Sequence, residues 1–150
     1  MKYFLAASVF ALMSLGAWAQ TVSNAALAEC QADGKAFTAV KECLPETEVA
    51  LQMLNVVTAP EFYGDSAVAI VAGCGDANKK SPARWACVNR AIGDAVDLLQ
   101  MVGSADKISD PRFKGVSDSA ILKKLKVKET AARKPFGQRM WGGTMFYSLK

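Results

Sequence analysis

A regular alternation of hydrophobic and polar positions follows Ser81-Pro82, in the middle of the chain. A serine followed by a proline is typical of a helix start, and Gly103 is typical of a helix end. The apolar positions between them recur at spacings of three and four: Trp85, Val88, Ile92, Ala95, Leu99 and Val102. This period is that of an amphipathic helix. The pattern predicts a central α-helix of about six turns over 81–103.

Four shorter helices are predicted before the central one, and two of them have clear caps. Ser23 is expected to be the N-cap of the first, which ends at Gly34. Asp65 is expected to cap the second, an almost entirely apolar helix over 67–72 that Gly73 closes.

A proline divides the hydrophobic pattern that lies between these two helices. Phe37, Val40 and Leu44 fall on one face of a short helix. Pro45 is followed by two glutamates, and both proline and acidic residues favour the first turn of a helix. We therefore expect a new helix to start at Pro45 and to end before Pro60.

A lysine-rich helix is predicted after Pro111. Ser117 or Asp118 is expected to cap it. Its apolar positions are Ile121, Leu122 and Leu125. Beyond Pro135, aromatic residues and glycines alternate without a clear period. That stretch is consistent with a docked tail, a hairpin turning at Gly142-Gly143, or a disordered end.

The first 19 residues have the three-part anatomy of a secretory signal. Lys2 begins it, an apolar core follows from Tyr3 to Leu15, and 17–19 form an A-x-A-like cleavage site. The core is shorter than the roughly 20 residues of a membrane-spanning helix. We therefore predict a bacterial protein exported to the periplasm or the medium, with no membrane span after signal removal.

Four cysteines form two pairs with the same C-x12-C spacing. A continuous helix would hold the two cysteines of a pair about 20 Å apart, too far for a disulfide. Each segment contains a break, however: Gly34 in the first, and in the second Gly75, a polar loop and the helix start at Ser81-Pro82. We predict the local disulfides Cys30–Cys43 and Cys74–Cys87. The alternative is the nested pairing, Cys30 with Cys87 and Cys43 with Cys74. Structural disulfides suit an exported protein, and the spacing fits neither a redox motif nor a zinc site.

The first cysteine unit resembles a known family. Cys30, Thr38, Cys43, Leu54 and Asn55 are similar to the motif of the bacterial LprI-type lysozyme-inhibitor-like helical domain. The second unit matches through fewer residues, which are Cys74, Ser81, Cys87 and Leu98. The resemblance covers about 60 residues. It implies a small helical fold and, for function, inhibition of a cell-wall hydrolase.

The chain has no histidine. This excludes the Ser-His-Asp and Cys-His mechanisms and most catalytic zinc sites. Two carboxylate pairs remain as candidates for acid–base catalysis, Asp94 with Asp97 and Glu46 with Glu48. The alternative interpretations are a solvated helix face for the first pair and a helix start for the second. No cofactor or metal is expected.

Charge divides the chain into an acidic body and a basic end. Residues 20–110 contain seven Lys or Arg against twelve Asp or Glu, whereas 111–150 contain ten against two. The acidic body suits a cationic partner such as a lysozyme. The basic end suits an anionic envelope surface, then an acidic polysaccharide, then nucleic acid. The predicted anionic-surface site comprises Lys123, Lys124, Lys126, Lys128, Arg133, Lys134, Arg139 and Trp141.

Together these features predict a small, disulfide-stabilised all-α bundle of four to six helices. Residues 1–19 are a removed signal, 20–110 a disulfide-bonded helical domain, and 111–150 a basic, aromatic-containing extension separable from it. The expected role is non-enzymatic, that of an envelope interaction or binding protein. The most specific version of this hypothesis is inhibition of a cell-wall hydrolase. The alternatives are a carboxylate-dependent wall hydrolase and a structural periplasmic protein.

The signal predicts a defined mature N-terminus. Protein isolated from its native host should begin at Gln20, because cleavage follows small residues such as Ala19. Intact mass or N-terminal sequencing checks this. A retained Met1 would contradict both the compartment and the argument for disulfides.

Overall fold

The computed structural model describes residues 22–34 and 36–137. The predicted signal at 1–19 and the open question of a tail or hairpin near Gly142 lie outside these residues. Within them there are six α-helices, two short 3-10 turns and no strand. The helices are α1 (Asn24–Asp33), α2 (Phe37–Val57), α3 (Asp65–Ala77), α4 (Ser81–Val102), α5 (Phe113–Val116) and α6 (Ser119–Arg133). The predicted all-α fold is confirmed.

Two helical hairpins and the C-terminal helix share one hydrophobic core. α1 packs on α2, and α3 packs on α4; α2 lies against α4, and α6 contacts both of them. Among the most deeply buried core side chains are Val49, Met53, Val57, Val88, Ile92 and Leu125. Since these residues come from α2, α4 and α6, the core is built where those three helices meet.

Each hairpin is closed by a disulfide. Cys30–Cys43 joins α1 to α2 with a Cα–Cα distance of 5.7 Å, and Cys74–Cys87 joins α3 to α4 at 5.8 Å. In both hairpins the first cysteine lies three residues before the end of one helix, and the second is the seventh residue of the next. The predicted local pairing is confirmed, and the nested alternative is wrong.

Helix α2 differs from its prediction in two ways. It runs without a break through Pro45, which is buried, so the expected new start there is wrong. The proline removes one helix hydrogen bond, but residues on either side of it hold α2 against α1. Cys43 is bonded to Cys30, and the Thr47 hydroxyl lies 3.4 Å from the Cys30 sulfur.

Phe37, expected on a buried face of α2, is 93% exposed. It is the first residue of the helix. Arg133, the last residue of α6, is bonded to α2 at Glu46, about two and a half turns further on. Among the described residues, none covers the Phe37 side chain.

Helix α3 is longer than predicted. It continues through Gly73 to Ala77, so Cys74 lies within a helix rather than after one. Asp65 makes no capping hydrogen bond; it lies in the first turn, after Gly64 at the N-cap position. A carboxylate there still favours the helix dipole.

The central helix is confirmed. α4 begins at Ser81 and ends at Val102, and Gly103 follows with φ 75°, the left-handed conformation that glycine adopts without steric cost. Its buried residues are Trp85, Val88, Ile92 and Val96, with Leu99 half-buried beside them. Asp94 and Asp97 are exposed, as the polar stripe requires.

The boundary predicted at residue 110 does not divide the core. α6 starts where expected: the Asp118 carboxylate accepts hydrogen bonds from the backbone N–H groups of Ala120 and Ile121. Leu122 and Leu125 of α6 are buried in the same cluster as the α2 and α4 residues. Between Phe113 and Phe136, the extension expected to be separate is therefore part of the bundle.

The burial of α4 predicts that substitutions on its two faces differ sharply in their effect on the free energy of unfolding. Ile92→Ala should lower the free energy of unfolding by about 2–5 kcal/mol, because Ile92 is 0% exposed and its truncation leaves a cavity. Asp97→Ala, on the exposed face, should change it by less than about 0.5 kcal/mol. Urea unfolding with the disulfides intact measures both. Equal effects would mean that the buried face is wrongly assigned.

Candidate functional site

The outer face of α6 carries a cluster of lysines. Leu122 and Leu125 point into the core, and the positions around them are exposed. Four of these positions are Lys123, Lys124, Lys126 and Lys128. Because a helix rises about 1.5 Å per residue, the four lysines lie within roughly 8 Å along the helix axis. We call these four residues the lysine face. Lys134, in the 3-10 turn that follows α6, is also exposed.

Arg133, predicted as part of the same site, is instead held in ion pairs. Its Nη2 donates to Glu129 at 2.7 Å, and its Nη1 lies 3.3 Å from the nearer carboxylate oxygen of Glu46. Burial opposes the charge, but Glu129 and Glu46 outweigh it and raise the pKa of Arg133. Arg139 and Trp141 lie outside the described residues. The structure thus brings together Lys123, Lys124, Lys126 and Lys128, with Lys134 just beyond them.

A polar network fixes the orientation of α6. The indole Nε1 of Trp85 on α4 donates to Glu129 at 3.2 Å, and Glu129 accepts from Arg133, which reaches Glu46 on α2. Trp85 is only 5% exposed. At the other end of α6, the Tyr63 hydroxyl donates to the backbone carbonyl of Asp118 at 3.2 Å. Anchored at both ends, α6 keeps its lysines turned away from the core.

The candidate catalytic carboxylates have separate surroundings. Asp94 and Asp97 are exposed on α4, and Glu46 faces Arg133. Glu48 is buried, and its Oε2 accepts hydrogen bonds from the backbone N–H and the hydroxyl of Ser23 at 2.9 and 2.6 Å. Glu46 and Glu48 are therefore engaged with α6 and α1 respectively, not with each other.

The pKa of Glu48 shifts in the direction opposite to that of a general acid. Burial alone would raise it, but the hydrogen bonds from the Ser23 side chain, Gln52 and the Ser23 backbone lower it overall. The carboxylate is thus ionised at neutral pH and stabilises the first turn of α1.

A second carboxylate links the two hairpins. Glu29 on α1 accepts hydrogen bonds from the backbone N–H of Ser81 at 2.8 Å and from its hydroxyl at 2.6 Å. This contact at the start of α4 repeats the arrangement of Glu48 with Ser23. Both serines are recognisable from the sequence as helix starts, but no local pattern indicates that a carboxylate from another helix binds them.

Within 22–34 and 36–137, no group of three or more Cys, Asp or Glu side chains is arranged to hold a metal ion. Over the same residues, no helix is long and apolar enough to cross a membrane.

Comparisons with known proteins add no assignment. No protein-family profile matches the chain, and no curated protein or solved structure was found to match it. The resemblance to the LprI-type domain, and the inhibitory role that it implies, therefore stay predictions from the cysteine motif.

The Glu48–Ser23 contact predicts a pH-dependent contribution to stability. Glu48→Gln should lower the free energy of unfolding at pH 7 by about 1–2 kcal/mol, because hydrogen bonds to a charged acceptor are stronger than those to a neutral one. The folded-state pKa of Glu48 is lowered from 4.5. The wild-type advantage is therefore complete above about pH 4.5 and is lost as pH falls through the folded-state value.

Urea unfolding of both proteins from pH 7 to pH 3 measures this change, with Glu42→Gln, at an exposed position of α2, as the matched control. The difference between wild type and Glu48→Gln should narrow in acid. A difference that stays constant with pH would show that the Glu48 charge contributes nothing.

Proposed function

We propose that this protein is an exported, non-enzymatic envelope protein that binds anionic surfaces through the lysine face of α6. The observation that carries the proposal is the exposure of four lysines within six consecutive residues of a helix that is itself anchored to the core. A signal-like N-terminus and two structural disulfides support the periplasm or the medium as its location.

The charge of the lysine face is available to a partner. Among the residues that the structure describes, none of the four lysines is in an ion pair with a carboxylate. Glu129, the acidic residue on α6, is instead occupied by Arg133 and Trp85. The electrostatic field on the exposed side of α6 therefore comes from four ammonium groups.

Anchoring makes this cluster more effective than the same charges on an unfolded tail. The backbone of α6 is already ordered in the bundle, so its ordering entropy is not lost again on binding. A lysine close to an anionic membrane contributes about 1 kcal/mol, which corresponds to roughly fivefold in affinity. Four such residues together contribute substantially to a salt-sensitive attachment.

Replacing the lysine face with neutral residues tests the proposal. The full chain carrying Lys123→Gln, Lys124→Gln, Lys126→Gln and Lys128→Gln should lose roughly two to three orders of magnitude in affinity for anionic vesicles. Co-sedimentation in about 20 mM and about 500 mM salt measures the change. Wild-type binding should fall steeply at the higher salt, because the Debye length shortens.

The matched control removes the same charge from exposed positions elsewhere on the molecule. It combines Lys41→Gln, Lys79→Gln, Arg90→Gln and Lys114→Gln. This variant has the same net charge as the lysine-face variant but should retain most of the affinity. Equal losses in the two variants would show that overall charge rather than the face of α6 attracts the surface. Absence of wild-type binding at low salt would refute the proposed function.

A further inference from the structure

The outermost side of α6 carries apolar residues among its lysines. Ala120, Val127 and Ala131 are all exposed, and Val127 keeps 69% of its surface open to solvent. Val127 follows Ala120 by seven residues and precedes Ala131 by four. Both spacings are close to whole turns of a helix, so the three side chains lie in one row on the side away from the core. Three apolar side chains therefore lie within the lysine face.

The lysines surround this row. Each residue turns the helix by roughly 100°, which places Lys124 and Lys128 on one side of Val127 and Lys126 on the other. Lys123 lies one turn before Val127 in the same row. Their long aliphatic chains let the ammonium groups reach outward beside the valine. The most exposed apolar side chain of α6 thus has lysines on both sides and one turn before it.

We propose that the lysine face lies on a lipid bilayer with anionic phosphate headgroups, and that Val127 enters between the headgroups while the lysines contact the phosphates. This inference rests on the proposed function and narrows its partner from any anionic surface to a lipid one. A soluble acidic polymer satisfies the lysines equally well, but it offers Val127 no apolar region. A bilayer offers both, with charge outside and hydrocarbon below.

The insertion is shallow and needs no rearrangement of the fold. Val127 already points outward, and Leu122 and Leu125 stay in the core, so α6 remains docked through Trp85 and Tyr63. One small side chain gives little affinity alone, and membrane attachment generally requires an apolar anchor combined with a basic cluster. The binding is therefore reversible and depends on both components.

Changing the size of Val127 separates a lipid surface from a polymer. With vesicles rich in phosphatidylglycerol, Val127→Leu should bind about fourfold more tightly, since one more CH₂ is buried, and Val127→Ala up to about fifteenfold more weakly. With dextran sulfate, a soluble polyanion, both variants should match wild type. The matched controls are Val68→Leu and Val68→Ala on α3, where the valine is 50% exposed and stands away from the lysine face.

The outcomes distinguish the inference from the proposed function. The opposed effects of the two Val127 variants on vesicles alone support lipid insertion. Unchanged vesicle affinity in both variants, or equal changes with vesicles and dextran sulfate, overturns it. If the lysine-face variant also abolishes vesicle binding in that case, electrostatic attachment stands without insertion. If wild type does not bind vesicles at low salt, both proposals fail. Thermal unfolding confirms that each variant is folded.

Discussion

The structure depends first on the closure of its two hairpins. Each disulfide ties the last turn of one helix to the second turn of the next, and constraining a loop of this length stabilises a fold by about 3 kcal/mol in the chain-entropy account. With the hairpins closed, Glu29 of the first reaches Ser81 at the start of α4 in the second. α2 and α4 are thereby set side by side, and they form the surface on which α6 packs.

The position of α6 links this core to the surface chemistry. Leu122 and Leu125 supply the apolar contact with the core. The hydrogen-bonded network of Trp85, Glu129, Arg133 and Glu46 determines which side of α6 faces the bundle. The network uses the one arginine and the one glutamate of α6, so both of these charged side chains are paired with partners inside the bundle. The exposed residues that remain on α6 are lysines, alanines, Val127, Ser119 and Thr130. The composition of the lysine face thus follows from which residues of α6 the core has already engaged.

The sequence correctly predicted those elements for which several local signals indicate the same structure. At α4, the serine–proline start, the apolar period and Gly103 all indicate one helix. The helix break between the two cysteines of each pair indicated the correct local disulfides.

The predictions failed where tertiary contacts override a local rule. Pro45 reads as a helix start, yet Cys43 and Thr47 hold the chain helical on either side of it. Phe37 has the right period for burial but lies beyond the reach of α6. The pairing of Glu29 with Ser81 joins residues 52 apart, which no local pattern encodes.

The hydrogen bond from Trp85 to Glu129 also allows the position of α6 to be followed by tryptophan fluorescence. An indole buried between helices, with its N–H bound to a carboxylate on one of them, has fluorescence that depends on that contact. If α6 moves away, Trp85 loses the Glu129 carboxylate as its hydrogen-bond partner, and its emission changes. The fluorescence of this one tryptophan therefore reports whether α6 is attached to α4.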